Sequence, residues 1–263
     1  MATHPQENTP WLLVTGQGRS GTTVLTKALA EHPAVLSNRV ESNVMKDVLV
    51  AGFASSTMPS RVRQMVVSRE QHDLIFRRML LDLLFPASEQ SSDMKPRVLS
   101  TFSAMNPEAA EFATSVFPGI HFVNIVRHGV EVVASRMVHR SLGKHSFEEH
   151  CLAWKTAQEM AEWGENRHDF TLFRHEDLLE EAACRMAFTT VFQSAGLDPV
   201  EASADYVLQH QFNKTVYEQE KASRQTDLRS RRQRWELWTT SQKEIFRKMC
   251  GPAMEYFGYP IPE

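Results

Sequence analysis

Residues Trp11 to Ala30, WLLVTGQGRSGTTVLTKALA, constrain the fold of this chain more than any other stretch. Trp11 to Thr15 is a short apolar, β-branched run of the kind that forms a buried strand. Gly16, Gly18 and Gly21 follow at once. From Thr22 the apolar residues Val24, Leu25, Ala28 and Leu29 take the spacing of one helical face. A strand, a glycine-rich turn and a helix together make an anion site. The first amides of a helix lack helical partners, and its dipole favours negative charge there. Glycines let the preceding backbone curl so that successive N–H groups converge on phosphate-like oxygens. Gly16 and Gly21 have the spacing of G-x-x-x-x-G-K-[ST], but Thr22 stands where an ATPase or kinase has its lysine. The fixed cation of this loop is Arg19. A strand–turn–helix with incidental glycines is the plainer reading, and it leaves the Arg-Ser-Gly-Thr-Thr run unexplained.

At 263 residues the chain is long enough for one sizeable α/β domain, here residues 11–263, after a polar tail over residues 1–10 containing Pro5 and Pro10. A net charge of −3 gives no general attraction to nucleic acid or acidic membrane. Cys151, Cys184 and Cys250 are widely spaced with no C-x-x-C pattern, which argues against a disulfide framework or zinc site and for a reducing compartment. The polar start is unlike a signal peptide, and no apolar run is long enough to span a bilayer. A soluble, cytoplasmic protein is the expectation, with no metal and no nucleic-acid partner. The sequence gives no indication of oligomeric state.

Further along, His32-Pro33 ends the first helix, His32 reading better as a helix-end residue than as a catalyst. Ala34 to Leu36 suggests a short second strand. Glu41 follows where such a strand ends, which in open α/β sheets is the ligand crevice. It reads equally as a carboxylate beside the anion loop or as the N-terminal charge of a helix over Asn43–Val50. Residues 60–85 read as helical, with Ile75, Phe76, Met79, Leu80, Leu83 and Leu84 forming an apolar stripe. Such a stripe is core, or else the wall of an acceptor pocket. Arg97 to Thr101 reads as a third strand. Asn106-Pro107-Glu108 opens a helix with an Asn cap and Pro at its first position. Ile120 to Val126 is the next strand, ending at Arg127-His128-Gly129 with a helix at once behind it. Ser135 lies two turns into that helix. This is a second strand–cation–helix junction.

Ser146 and Glu149 make a capping box for a long helix to about Trp163. Phe170 to Phe173 is a fifth strand, followed by Arg174-His175-Glu176-Asp177-Leu178 and a helix to Ala195. Asp198-Pro199 with Glu201 starts another. Lys221, Arg224, Arg229, Arg231, Arg232 and Arg234 then face a single acid, Asp227. A run of this kind is a solvated face or, in a net-acidic protein, an anion-binding lid. Trp235 anchors a final helix reaching Phe257. Strands alternating with helices imply an α/β, three-layer domain with a central, mainly parallel sheet flanked by helices, of the P-loop nucleotide-binding type. Two cation-bearing junctions and a basic segment imply a ligand with more than one anionic group.

GQGRSGTTVL, IVRHGVEVVAS, the HEDL of FRHEDL and the terminal RW…FGY, in this order, resemble the sulfotransferases that use 3′-phosphoadenosine-5′-phosphosulfate. The spacing is most similar to tyrosylprotein and related bacterial sulfotransferases. The resemblance implies that Gly18, Arg19, Ser20, Gly21, Thr22 and Thr23 bind the 5′-phosphosulfate, with Arg19 as the loop cation. It implies that Arg127 and Ser135 hold the 3′-phosphate and that Arg234 returns to the nucleotide. His175 stands where the family commonly has a tyrosine before Glu-x-Leu, so its ring is the corresponding candidate for nucleotide contact. His128 replaces an aspartate common after the arginine. A Lys-[TSD]-Pro motif is absent: Phe102 occupies its place and Lys95-Pro96 comes too early.

The implied reaction is in-line transfer of a sulfuryl group to an acceptor hydroxyl or amine, releasing adenosine 3′,5′-bisphosphate, with no metal required. Glu41 is the first candidate for general base and His128 the reserve. A small molecule, carbohydrate, phenol or tyrosine, or lipid head group all remain open as acceptor. The alternatives are a P-loop phosphotransferase using ATP and a non-catalytic nucleotide-binding protein of the same fold.

Overall fold

The computed structural model describes residues 11–37, 43–58, 67–84, 97–100, 105–212 and 231–263. Its elements in chain order are β1 (Trp11–Gly16), α1 (Thr22–Leu29), β2 (Leu36–Ser37), α2 (Asn43–Thr57), α3 (Arg69–Leu84) and β3 (Arg97–Ser100). Next come α4 (Pro107–Val116), β4 (Ile120–Val126), α5 (Gly129–Met137), α6 (Phe147–Gly164) and β5 (Phe170–Arg174). A 3-10 turn over Asp177–Leu179 leads to α7 (Glu181–Ser194), α8 (Glu201–Phe212), α9 (Arg231–Glu236) and α10 (Thr240–Tyr256).

The five strands form one sheet in the order β2-β3-β1-β4-β5, and every pairing is parallel. β1 and β4 are central and buried throughout, which explains their nearly unbroken apolar sequences. Side chains alternate across the pleat. Trp11, Leu13, Ile120 and Phe122 therefore pack with Met45, Leu49, Leu80 and Phe112 on one face. Leu12, Val14, Val123, Ile125 and Phe173 pack with Leu25, Leu29, Phe188 and Val207 on the other. A third cluster joins Val126 to α5, α6, α9 and α10 through Val130, Trp154, Trp235, Phe246 and Phe257. This is the α/β, three-layer arrangement expected from the alternation of strands and helices.

In a parallel sheet all strands point the same way, so their carboxyl ends share one edge. Gly16 pairs with Ile125, and Val126 with Arg174. The loops that follow β1, β4 and β5 thus start side by side.

Two elements differ from the sequence reading. On α3, Leu80 is buried, but Ile75 and Leu83 are 55% and 57% exposed, so the stripe does not face the core as a unit. His72 of the same helix is instead buried against Phe76 and Phe112 and bonded to Ser55 Oγ at 2.7 Å. The last helix is also two helices. Thr239 Oγ accepts the Gln242 N–H at 3.2 Å and Gln242 Oε1 accepts the Thr239 N–H at 3.0 Å, a capping box that restarts the helix after α9. The Asn106 cap and the Ser146–Glu149 capping box form as expected. α2 runs a further two turns beyond Val50. All three cysteines are buried free thiols. Among the described residues no helix is long and apolar enough to cross a membrane.

Candidate active site

The loop after β1 is shaped by backbone that side chains disfavour. Gly16 has φ +153°, and a Cβ there would lie 2.4 Å from the Ile125 carbonyl oxygen. Gly21, at φ +107°, occupies the cap position of α1, and no side chain caps that helix. Between them Arg19 is held at φ +83° although it is not glycine. That conformation costs about 1–2 kcal/mol and persists only where its surroundings impose it. Gln17 supplies part of that constraint. Its buried amide donates to the Ala153 carbonyl and to Thr156 Oγ1 at 2.9 Å, tying the loop to α6. The Ser20 N–H closes a turn onto the Gln17 carbonyl at 2.9 Å. Ser20 itself is 1% exposed, and its hydroxyl has no partner among the described residues. An orphaned hydroxyl beside an uncapped helix start is the arrangement an anion would complete.

The junction after β4 meets this loop directly. The Arg127 guanidinium donates to Glu131 Oε2 at 2.7 Å through Nε and to the Arg19 carbonyl at 3.4 Å. The indole N–H of Trp154 fixes the Arg127 carbonyl at 2.9 Å. From the other side, Arg19 Nε donates to Ser135 Oγ at 3.1 Å. Arg19, Arg127 and Ser135 are thereby brought into one constellation. Arg231 of α9 reaches Glu131 at 3.3 Å and Glu176 at 3.6 Å, so the described end of the basic run docks here. Burial alone would raise the Glu131 carboxyl, but Arg127, Arg231 and Arg234 outweigh it and hold it below the ordinary range. Arg234 therefore lies within electrostatic reach of the same carboxylate.

Two histidines sit at this edge with different surroundings. The His175 N–H continues the sheet by donating to the Val126 carbonyl at 2.8 Å. Its ring lies against the loop, 3.0 Å from where a Gly21 Cβ would be. Burial, then Arg127, lowers its pKa to about 4, so the ring is neutral at pH 7. His128 is fully buried as the cap of α5. Its Nδ1 accepts the Val130 N–H at 3.3 Å and its Nε2 donates to the Pro260 carbonyl at 2.9 Å. Both nitrogens are engaged, and burial takes its pKa down to about 4. No lone pair is left to receive an acceptor's proton, so the geometry speaks against His128 as the reserve base.

Thr22 is buried at the helix start and Thr23 is exposed beside it. Gly18 is half-buried in the loop. Glu41, Lys95, Phe102 and residues 213–230, with most of the basic run, lie outside the described residues. Sequence reasoning did not single out Gln17, Glu131, Arg136 or Glu176. Glu176 accepts the His128 N–H at 3.1 Å and the Tyr259 hydroxyl at 2.7 Å, joining the second junction to the carboxyl-terminal segment. Its place in HEDL, and that of Tyr259 in FGY, was the available signal. Among the described residues, no group of three or more His, Cys, Asp or Glu side chains is placed to hold a metal ion.

Residues 10–194 match the sequence model of the sulfotransferase family, about seven-tenths of the chain and including both junctions. The chain belongs to the sulfotransferase family. Solved structures agree at the level of fold. The sulfotransferase domain of the Synechococcus PCC 7002 olefin synthase is 15% identical with a TM-score of 0.53, the match covering 98% of each chain. A sulfotransferase domain from the curacin biosynthetic pathway is 14% identical with a TM-score of 0.52, over 96% of this chain and 98% of that one. A sulfotransferase from Alicyclobacillus acidocaldarius is 10% identical with a TM-score of 0.52, over 96% and 97%. No match is found among curated proteins. Sulfuryl transfer is the general chemistry that membership of the sulfotransferase family supports.

Proposed function

We propose that this sulfotransferase takes its sulfuryl group from 3′-phosphoadenosine-5′-phosphosulfate, passes it in line to an acceptor hydroxyl or amine, and releases adenosine 3′,5′-bisphosphate. The observation that carries this reading is the contact between the two junctions, with Arg19 on Ser135 and Arg127 on the Arg19 carbonyl. A nucleotide with phosphate on both sides of its ribose suits such a pair of anion sites. The residues present fit the donor: the orphaned Ser20 hydroxyl and the uncapped start of α1 call for an anionic oxygen. When bound, the donor supplies a sulfuryl group whose bond to the 5′-phosphate oxygen breaks as a bond to the acceptor forms.

The roles follow from chemistry. Gly18, Ser20, Gly21, Thr22 and Thr23 present amides and hydroxyls to the 5′ side. Arg19 stabilises the negative charge that grows on the leaving oxygen. Arg127 and Ser135 take the 3′-phosphate, with Arg234 closing from α9. His175 packs a neutral ring beside the loop. Glu41 is proposed as the base that accepts the acceptor's proton. As in phosphoryl transfer, the chain's main work is positioning and charge stabilisation.

The test is thermal unfolding with adenosine 3′,5′-bisphosphate, or with ATP and magnesium. A ligand of the folded state raises the melting temperature according to its affinity. The larger rise is expected with the bisphosphate. A larger rise with ATP and magnesium, together with ATP turnover, would instead make the chain a phosphotransferase.

A further inference from the structure

Beside the loop that carries Arg19 lies a group of basic residues to which the proposed reaction assigns no role. Arg136 follows Ser135 directly. It donates to Gln17 Oε1 at 3.4 Å and to His150 Nδ1 at 3.4 Å, and it makes no ion pair among the described residues. Both of its acceptors are neutral. Burial lowers its pKa, a sign of a guanidinium partly removed from water without a counter-charge. His150 is 1% exposed. Because its Nδ1 accepts from Arg136, its proton is on Nε2, and that buried N–H has no partner among the described residues. A buried donor left open is costly, so it signals a missing acceptor. Arg136 lies in the last turn of α5, the connection that follows carries His139, Arg140, Lys144 and His145, and no acid occurs between Glu131 and Glu148. The His145 ring stands 6.1 Å from that of His150 and faces Glu149 at 3.5 Å, while burial, then Arg19 and Arg136, lowers the His139 pKa.

Resting on the sulfotransferase reading above, we propose that Arg136, His150 and the cationic α5–α6 connection form an acceptor subsite for a negatively charged group. The acceptor is then a molecule that already carries a carboxylate, phosphate or sulfate beside the hydroxyl or amine to be modified. Gln17 links Arg136 to the loop that holds Arg19, which sets the anion next to the transferring group. Neutral phenols and sugars would leave Arg136 and the His150 N–H without a counterpart.

Matched acceptors test this with 3′-phosphoadenosine-5′-phosphosulfate as donor. The pairs are 4-hydroxyphenylacetate against 4-hydroxyphenylacetamide, glucuronate against glucuronamide, and glycerol 3-phosphate against glycerol. The charged member of at least one pair is expected to show a kcat/KM about tenfold or more higher, the worth of one charge-assisted contact. Arg136→Gln should abolish that preference and Arg136→Lys should keep part of it. In both variants adenosine 3′,5′-bisphosphate should still raise the melting temperature as in the wild type. Equal rates within every pair, no transfer to any member, or a preference that survives Arg136→Gln overturns the subsite. Loss of bisphosphate stabilisation in Arg136→Gln also overturns it, by making Arg136 a support of the donor loop. Failure of the donor reading looks different: the wild type itself would gain no stability from the bisphosphate.

Discussion

At the end of β1 the backbone is strained and polar groups stand open, whereas at the end of β4 the charges are answered by one another. Among the described residues, the first junction holds Arg19 at positive φ, leaves the Ser20 hydroxyl without a partner and starts α1 with no side-chain cap. The second pairs Arg127 and Arg231 with Glu131, and ties Glu176 to His128 and Tyr259. An open site suits charge that is met only during transfer, because nothing must be broken to meet it. A wired site suits a group held unchanged through the reaction, because its cation is oriented in advance.

That contrast predicts different kinds of damage. The largest effect is expected from Arg19→Ala, with turnover lower by roughly a hundred- to a thousandfold and bisphosphate affinity little changed. Steady-state rates beside calorimetric affinities would show it, and unchanged turnover would remove Arg19 from the chemistry. Arg127→Ala should act on binding instead. The preference for adenosine 3′,5′-bisphosphate over AMP should fall by about 10–100-fold, as for a charge-assisted bond of about 1.5–3 kcal/mol. If the wild-type margin persists, the 3′-phosphate lies elsewhere.

The wired junction should also carry pH sensitivity. His128 and His175 have folded-state pKa values of about 4, below the ordinary 6.5. The unfolded chain therefore binds more protons between those values, and stability falls as pH drops from about 6.5 towards 4. Each histidine contributes a slope of up to about 1.4 kcal/mol per pH unit there. Urea midpoints between pH 7 and 5 should show this, and His128→Asn should flatten the slope by about one proton. An unaltered slope in that variant would mean His128 is not held neutral. The smallest effect is expected for Ser20→Ala. Its unpaired hydroxyl contributes nothing to the free protein, so stability should hold or rise slightly while bisphosphate binding weakens by about 0.5–1.5 kcal/mol. A clear loss of stability would show that Ser20 serves the fold.

The sequence reading reached the strands and the two junctions because their signals are local. Ile120–Val126 is a nearly continuous apolar run, and the caps at Asn106 and Ser146 are defined within four residues. It missed the break between α9 and α10 because Trp235, Trp238 and Phe246 all enter one core cluster and mask the Thr239–Gln242 capping box. Of its two readings of the α3 stripe, the core reading fails for Ile75 and Leu83, while the polar His72 is buried through Ser55 and two phenylalanines. Arg19, Arg127 and Ser135 were legible one by one, yet the bonds that join them link residues far apart in the chain. Gln17, Arg136 and His150 escaped for the same reason: their partners are set by packing of α5 and α6 on the loop. Positive φ at Arg19 has no sequence signature at all.

The central claim is that the two junctions hold two phosphates of one nucleotide. Titration calorimetry of the wild-type protein with adenosine 3′,5′-bisphosphate and with AMP tests it most directly. The account predicts tighter binding of the bisphosphate by about tenfold or more, the contribution of one further charge-assisted contact. Equal affinities for the two nucleotides would contradict it.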